Sequence, residues 1–313
     1  MSANVETMFS VREVPWHGLG TIVQEAPTSE EAIRLAGLDW RVDQYPVYAH
    51  MDDYQIHVPQ TFANIRSDNH ASLGVVGNRY KIIQNADAFN FVDNLAEDGI
   101  VHYETAGALG SGERIWLLAK TENFKLLDDD VENYIVFTNS HDGKQSIKVA
   151  DVPIRVVCQN TLNLALRNAK RTWRTTHAGN ISAKMEEAKY TLNMVSKYTD
   201  ALMAEAEKLV AQKVNKAKFD KFVEELFPLD KDESKRKATN IIEMRDELKV
   251  RLYSSPDLAN FANTKWGVLN AVSDFVDHTV PQRNTDTFKE KNFARIVDGH
   301  DIFDRAYALL NVA

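Results

Sequence analysis

The side chains best suited to chemistry lie in one stretch in the middle of the chain, residues 152–185. This stretch holds six Lys or Arg residues and no Asp or Glu, although the whole chain has a net charge of -8. Spaced cations with an interleaved aromatic ring and hydroxyl groups can hold a phosphate backbone and stack a base. The stretch is therefore the strongest candidate for an anion site, because a nearby carboxylate would repel phosphate.

We predict that this stretch contacts nucleic acid. If residues 161–170 are helical, then Arg167, Lys170 and Arg171 share one helix face, and Arg174 extends the set of phosphate contacts. Trp173 would stack on a base. The complete predicted set is Arg155, Asn160, Arg167, Lys170, Arg171, Trp173, Arg174, Thr175, His177 and Lys184. Arg155 has a second possible role as a buried ion-pair partner, because it lies in a strand-like run.

The basic stretch has an alternative partner in the protein itself. Residues 1–151 carry 11 basic and 23 acidic side chains, a net charge of -12. Such an asymmetry invites the basic stretch to neutralise the acidic part within one chain or between subunits. We therefore predict a homo-oligomer. The alternative function is a non-enzymatic protein–protein interaction module whose basic stretch docks on the acidic surface of another protein.

Recognisable enzyme motifs are missing from the sequence. There is no phosphate-binding loop, no dinucleotide fingerprint, no nucleophile elbow and no His-Glu-x-x-His pair. The nine histidines are scattered, so we predict no metal site and no cofactor. Cys158 with His177 and His17 could form an unrecognised hydrolase or transferase site, but a lone cysteine in "RVVCQ" is more typical of a buried strand.

The pattern of apolar residues predicts an α+β fold. Between residues 40 and 150, short runs such as "RIWLLAKT" alternate apolar with polar residues and are bounded by Gly, Asn, Asp or Pro. Two helices accompany these runs, one before them capped by Ser29 and one among them capped by Asn85. We expect a twisted, mainly antiparallel sheet with packed helices.

After residue 160 the period becomes helical. A long amphipathic helix follows Ser182. Three further helices are expected, one ending before Pro228, one ending before Ser255-Pro256, and one that starts at Leu258 and stops near Pro281. We predict a sheet domain over residues 1–165 and a helical region over residues 166–313 that packs on it or mediates assembly.

The sequence also indicates where the protein resides. The N-terminus lacks a signal-peptide pattern, and no run approaches the eighteen apolar residues of a membrane helix. A single cysteine fits a reducing compartment. We expect a cytoplasmic protein without a membrane span.

Three stretches together resemble one protein family. They are "PWHGLGT" (15–21), "IRVVCQNTLNLAL" (154–166) followed by "RTTHAGN" (174–180), and "NTKWGVLNAVSDFVDH" (263–278). They are similar to the phage- and plasmid-borne proteins grouped as the domain of unknown function 932 family. The resemblance implies a role in the biology of a mobile element.

The order of elements in residues 29–150 is also similar to the sheet-plus-helix core of single-strand annealing recombinases. With the basic stretch, this leads us to expect a non-enzymatic protein that binds single-stranded DNA, in replication or recombination. It would then act in the cytoplasm of the host cell.

Overall fold

The chain forms two compact units in a computed structural model. The structure describes residues 5–12, 20–94, 102–121, 123–127, 129–155, 171–192, 195–279 and 300–312. The first unit, here called the sheet unit, comprises residues 1–122, 134–151 and 171–195. The second, the helical unit, comprises residues 123–133, 152–170 and 196–313.

Eleven described strands form two sheets. They are β1 Val5–Val11, β2 Thr21–Val23, β3 Val42–Met51, β4 Tyr54–Arg66, β5 Ser72–Gly77, β6 His102–Leu109, β7 Arg114–Lys120, β8 Phe124–Leu126, β9 Asp129–Ser140, β10 Ile147–Arg155 and β11 Thr172–Thr175. The larger sheet has the order β11-β10-β9-β7-β6-β1-β2, and β8 also pairs with β9. The smaller sheet has the order β3-β4-β5.

Alternation along the strands builds the core of the sheet unit. In β7 the side chains of Ile115, Leu117 and Ala119 are buried, and those between them are half-buried. Because successive side chains of a strand point to opposite faces, one face of this strand packs inward. The pairing is antiparallel in every described register except that of β1 with β2, which is parallel.

Eight helices complete the described chain. They are α1 Ser29–Leu35, α2 Asn85–Asp93, α3 Ile181–Leu192, α4 Val195–Ala211, α5 Lys216–Leu226, α6 Lys235–Ser254, α7 Lys265–His278 and α8 Asp301–Val312, with a short 3-10 turn at Pro256–Leu258. Several begin at side-chain caps. Asn215, Ser234 and Thr264 each accept a hydrogen bond from a backbone N–H of the first turn of α5, α6 and α7.

The helical unit packs around α7. Trp266 in this helix is 1% exposed, and most of its neighbours along α7 are buried as well. Helices α4, α5, α6 and α8 present apolar faces to the same core, which also includes Leu126 and Val131. A helix that is apolar on nearly all sides must be surrounded by others, and this explains its central place.

The structure confirms the α+β class, the mainly antiparallel sheets and the helical C-terminal half. It corrects two predicted helix starts. Thr28, not Ser29, caps α1 and forms a capping box with Glu31. Asn85 is the first residue of α2, and its side chain hydrogen-bonds to carbonyls of another segment instead of capping its own helix.

Other predicted boundaries also change. The long helix expected after Ser182 is described as α3 and α4, and the helix expected from Leu258 begins only after Thr264. Helix α8 was not anticipated, although Phe303, Ala306 and Leu310 have helical spacing and are buried. The predicted domain boundary at residue 165 and the predicted helix 161–170 lie outside the described residues.

The close packing of α7 predicts an unusual effect of a glycine substitution. A Cβ at Gly267 would overlap the backbone carbonyl of Phe261. We therefore expect Gly267→Ala to lower the free energy of unfolding by about 1–3 kcal/mol, as overpacking does, although Ala normally favours a helix. Urea unfolding followed by circular dichroism measures the change.

Gly77→Ala is the matched control for this substitution. The nearest atom to a Cβ at Gly77 is the Gln60 carbonyl oxygen, 4.0 Å away. Equal stabilities of the two variants would contradict the close approach of Gly267 to Phe261.

Candidate functional site

A cleft of about 930 Å³ opens in the sheet unit where several strands end. Its walls come from the middle of β4, the turn after β5, the loop between β9 and β10, and the segment after β11. The lining residues are Gln60, Gly77, Asn78, Arg79, Tyr80, Gly143, Lys144, Gln145, Ser146, Thr176, His177 and Ala178. Loops carried on a sheet edge are a common place for binding sites.

The lining of the cleft is basic and polar. It includes Arg79 and Lys144 but no Asp or Glu. Arg79 is exposed and forms no ion pair within the described residues. The Lys144 ammonium lies 3.7 Å from the buried carboxylate of Asp142, while its own side chain is 82% exposed. Both cations can therefore meet an anion that enters from solvent.

A stacked pair of rings, Tyr80 and His177, forms one part of the cleft wall. Their ring centroids lie 4.5 Å apart with an interplanar angle of 13°. The Tyr80 hydroxyl donates a hydrogen bond of 2.6 Å to the Ser140 carbonyl, and burial raises the pKa of this hydroxyl. Since the hydroxyl is anchored, the Tyr80 ring is held in place beside the cleft.

His177 is anchored by the backbone of Lys81. Its Nδ1 lies 3.0 Å from the Lys81 carbonyl oxygen, and its own carbonyl accepts a hydrogen bond of 2.8 Å from the Lys81 N–H. A carbonyl can only accept, so Nδ1 carries the proton. In the neutral ring Nε2 then holds a lone pair, and this buried atom has no hydrogen-bond partner among the described residues.

A buried polar network supports the loop between β9 and β10. The Asn64 amide donates a hydrogen bond of 2.6 Å to the His141 carbonyl. His141 Nε2 lies 3.0 Å from the side-chain oxygen Oδ1 of Asn85, while the side-chain NH₂ of Asn85 donates to the backbone carbonyls of Leu38 and Trp40. Because Asn85 therefore accepts through Oδ1, His141 Nε2 is the donor.

Burial keeps both histidines neutral. Burial, with smaller contributions from His177 and Arg66, lowers the pKa of His141 to about 3, and the negative charge of Asp142 partly opposes these effects. Burial also lowers the pKa of His177, with a further contribution from the positive charge of Lys184. The interior behind the cleft therefore disfavours charge, while the cations at its rim stay in contact with water.

Lys184 holds the segment that forms one side of the cleft. Its ammonium donates hydrogen bonds of 3.2 Å to the Thr176 carbonyl and 2.6 Å to the Ala178 carbonyl. Of the residues predicted from the sequence, the structure thus brings His177 into the cleft wall and Lys184 directly behind it. Lys184 serves here as a structural clamp.

Two predicted contacts are buried. Trp173 is 6% exposed and belongs to the core of the sheet unit, so its ring is not available to stack on a base. Arg171 is 8% exposed, and its guanidinium donates to the Asp151 carbonyl at 3.3 Å. Both residues are buried because the segment that follows residue 170 joins the sheet next to β10.

The remaining predicted contacts lie on β11 or outside the described residues. Arg174 is exposed opposite Lys148, and Thr175 is half-buried opposite Ile147; neither lines the cleft. Asn160, Arg167, Lys170 and the side chain of Arg155 lie outside the described residues. Their predicted roles stay predictions, as do those of Cys158 and His17.

Sequence reasoning did not single out Arg79, Tyr80, His141 and Lys144. A signal for all four exists in "TNSHDGK" (138–144) and "GNRYK" (77–81). Each is a dense polar run with glycine that directly follows a strand-like run, and such positions often carry binding groups. The two runs are about 60 residues apart, so only the fold reveals that they share one cleft.

The described residues contain neither a metal-binding cluster nor a helix that could cross a membrane. In the parts of the chain that the structure describes, no group of three or more His, Cys, Asp or Glu side chains could hold a metal ion. Among the described helices, none combines the length and apolar composition that crossing a bilayer requires.

Comparison with known proteins yields one match. The family model described as "Domain of unknown function (DUF932)" matches residues 72–297, well over half of the chain and including most of the cleft lining. No curated protein and no solved structure matches.

The neutral state of His141 predicts a loss of stability in mild acid. The unfolded chain binds a proton near pH 6.5 and the folded chain does so only near pH 3. The contribution of the neutral His141 ring to the free energy of unfolding is therefore fully present above pH 6.5 and is lost as the pH falls toward 3. We expect His141 to account for about 1 kcal/mol of lost stability between pH 7.5 and 5.5 in urea unfolding.

His141→Gln removes the titrating ring and should reduce this pH dependence, although it lowers the stability at pH 7.5. His102→Gln, at an exposed position, is the control and should leave the pH dependence unchanged. If the free energies of unfolding of His141→Gln and the unmodified protein changed by the same amount between pH 7.5 and 5.5, the assignment of a buried, neutral His141 would be wrong.

Proposed function

Because the chain belongs to the DUF932 family, whose description assigns no activity, we propose a function from the cleft itself: the protein binds single-stranded nucleic acid. The single observation that carries this proposal is the acid-free, basic lining of an open cleft in a protein of net charge -8. Carboxylates are absent from the lining although residues 1–151 contain 23 acidic residues.

Arg79 and Lys144 contact phosphates in this proposal. Both side chains are exposed. The Asp142 carboxylate beside Lys144 also accepts hydrogen bonds from the Ser140 hydroxyl and the Lys144 backbone N–H, so it keeps these partners when the Lys144 ammonium turns to a phosphate. The planar guanidinium of Arg79 can donate two parallel hydrogen bonds to one phosphate. Charge neutralisation of this kind supplies most non-specific affinity for nucleic acid.

The bases face the amide and hydroxyl groups of the lining. Gln60, Asn78, Gln145 and Ser146 offer donors and acceptors that can meet the base edges of an unpaired strand. The Tyr80 ring supplies an aromatic surface next to them. A concave site of this form suits a single strand, since a protein reads duplex DNA with an element that projects into a groove.

The proposal predicts the effect of removing both cations. We expect Arg79→Ser/Lys144→Ser to weaken binding of a fluorescent oligothymidine about tenfold or more in fluorescence anisotropy at low salt. The slope of log affinity against log salt should become less steep by about 1.4, because each phosphate contact with a single strand contributes about 0.7.

Arg34→Ser/Lys221→Ser is a matched control with the same change in net charge. Both of its side chains are exposed and ion-paired within helices, and neither belongs to the cleft lining. It should bind as the unmodified protein does. Equal affinities of the two double variants, or no binding at low salt, would contradict the proposed function.

A protein–protein interaction module is the second candidate function. A different observation favours it, namely the exposed aromatic and apolar side chains of the hairpin formed by β3 and β4.

A role in phage or plasmid replication or recombination, the absence of enzymatic activity and the cytoplasmic location stay predictions.

A further inference from the structure

The end of the β3–β4 hairpin extends beyond the smaller sheet as a two-stranded ribbon, Tyr48–His57. Strand β5 pairs only with Thr61–Ile65 of β4, so the ribbon has no third strand. Nearly all of its residues are exposed on both faces, including Tyr48, Met51, Tyr54 and Ile56 at 44–57%. Such a ribbon buries little apolar surface in its own molecule.

The two faces of the ribbon differ in chemistry. The cross-strand pairs Tyr48–His57 and His50–Gln55 share one face, because paired residues point to the same side. The pairs Ala49–Ile56 and Met51–Tyr54 share the other face, which is apolar. An exposed apolar face that ends in a tight turn is typical of a surface that another molecule covers.

The tip of the ribbon is acidic. Asp52 and Asp53 form the turn, and residues 42–65 contain no Lys or Arg. Neither carboxylate has an ion-pair partner among the described residues. The ribbon thus presents two unpaired negative charges flanked by Met51 and Tyr54.

A bulge in β4 separates the ribbon from the cleft residue Gln60 of the same chain. Between the pairs Tyr48–His57 and Pro46–Phe62, Val47 of β3 stands opposite the four residues 58–61 of β4, and Gln60 in this bulge has a positive φ of 58°. Neither Asp52 nor Asp53 forms an ion pair with Arg79 or Lys144 of its own chain, so the tip acids do not neutralise the cleft cations within one molecule.

We propose that the ribbon tip of one copy of this chain occupies the cleft of a second copy. Asp52 and Asp53 then meet Arg79 and Lys144, and the apolar face with Met51 and Tyr54 is covered by the neighbouring copy. The charges are complementary. Among the described residues, Asp52, Asp53 and Arg79 form no ion pair, and Lys144 pairs only with Asp142 of its own loop. Opposite surface charges of this kind direct association and set its orientation.

The contact joins two different surfaces, so each bound copy still has a free ribbon or a free cleft. Such a head-to-tail contact produces a closed ring or an open filament. The inference uses the same cleft as the proposed function but does not require nucleic acid to bind there. If both hold, an oligonucleotide competes with the ribbon and dissociates the assembly.

Two charge-reversal variants test the contact. Asp52→Lys/Asp53→Lys has a basic tip and a basic cleft, and Arg79→Glu/Lys144→Glu has an acidic tip and an acidic cleft. We expect the unmodified protein to assemble at low salt, with a mass that falls as salt screens the charges. Each variant alone should be monomeric in sedimentation velocity and light scattering.

An equimolar mixture of the two variants should assemble again, because both tip-to-cleft contacts between unlike copies then join opposite charges. Asp230→Lys/Asp232→Lys, which makes the same change in charge on an exposed loop, should assemble as the unmodified protein does. A monomeric unmodified protein, or a mixture that stays monomeric, would overturn the proposal.

The outcomes also separate this inference from the proposed function. Assembly without oligonucleotide binding contradicts the proposed function alone. Oligonucleotide binding by a protein that stays monomeric contradicts the ribbon contact alone. Asp52→Lys/Asp53→Lys should retain oligonucleotide binding because its cleft is unchanged, and circular dichroism confirms that each variant is folded.

Discussion

The cleft depends on the hydrogen bonds of the Asn85 side-chain amide. It donates to the carbonyls of Leu38 and Trp40, accepts from His141, and is 1% exposed. A buried amide without partners costs about 1–3 kcal/mol, so these three bonds constrain each other strongly. They fix the position of His141 and, through it, the loop whose next residues line the cleft.

Burial distinguishes charged side chains that stabilise the fold from those that can bind a ligand. Arg66 is 4% exposed, pairs with Glu6 and Asp68, and lies 4.3 Å above the Trp40 ring, so its charge is fully used inside the protein. Arg79 and Lys144 stay at the surface. A count of basic residues cannot distinguish these two classes, and this is why Arg171 was misassigned as a surface contact.

The elements were largely predictable because they depend on local patterns. The alternation of β7 and the helical period of α6 follow from side chains within a few positions of each other. The helix α8 was missed although its apolar spacing is clear. The start of α2 was misplaced because Asn85 uses its amide for a long-range bond, which no local rule describes.

The sequence by itself determined the α+β class, the helical C-terminal half, the family and the acid-free middle of the chain. Only the tertiary structure decided which charges face solvent. It buried Trp173 and brought together Arg79, Lys144 and His177 from segments up to about 100 residues apart. The reason is physical: periodicity reports the face on which a side chain lies, whereas pairing between distant strands decides what lies beside it.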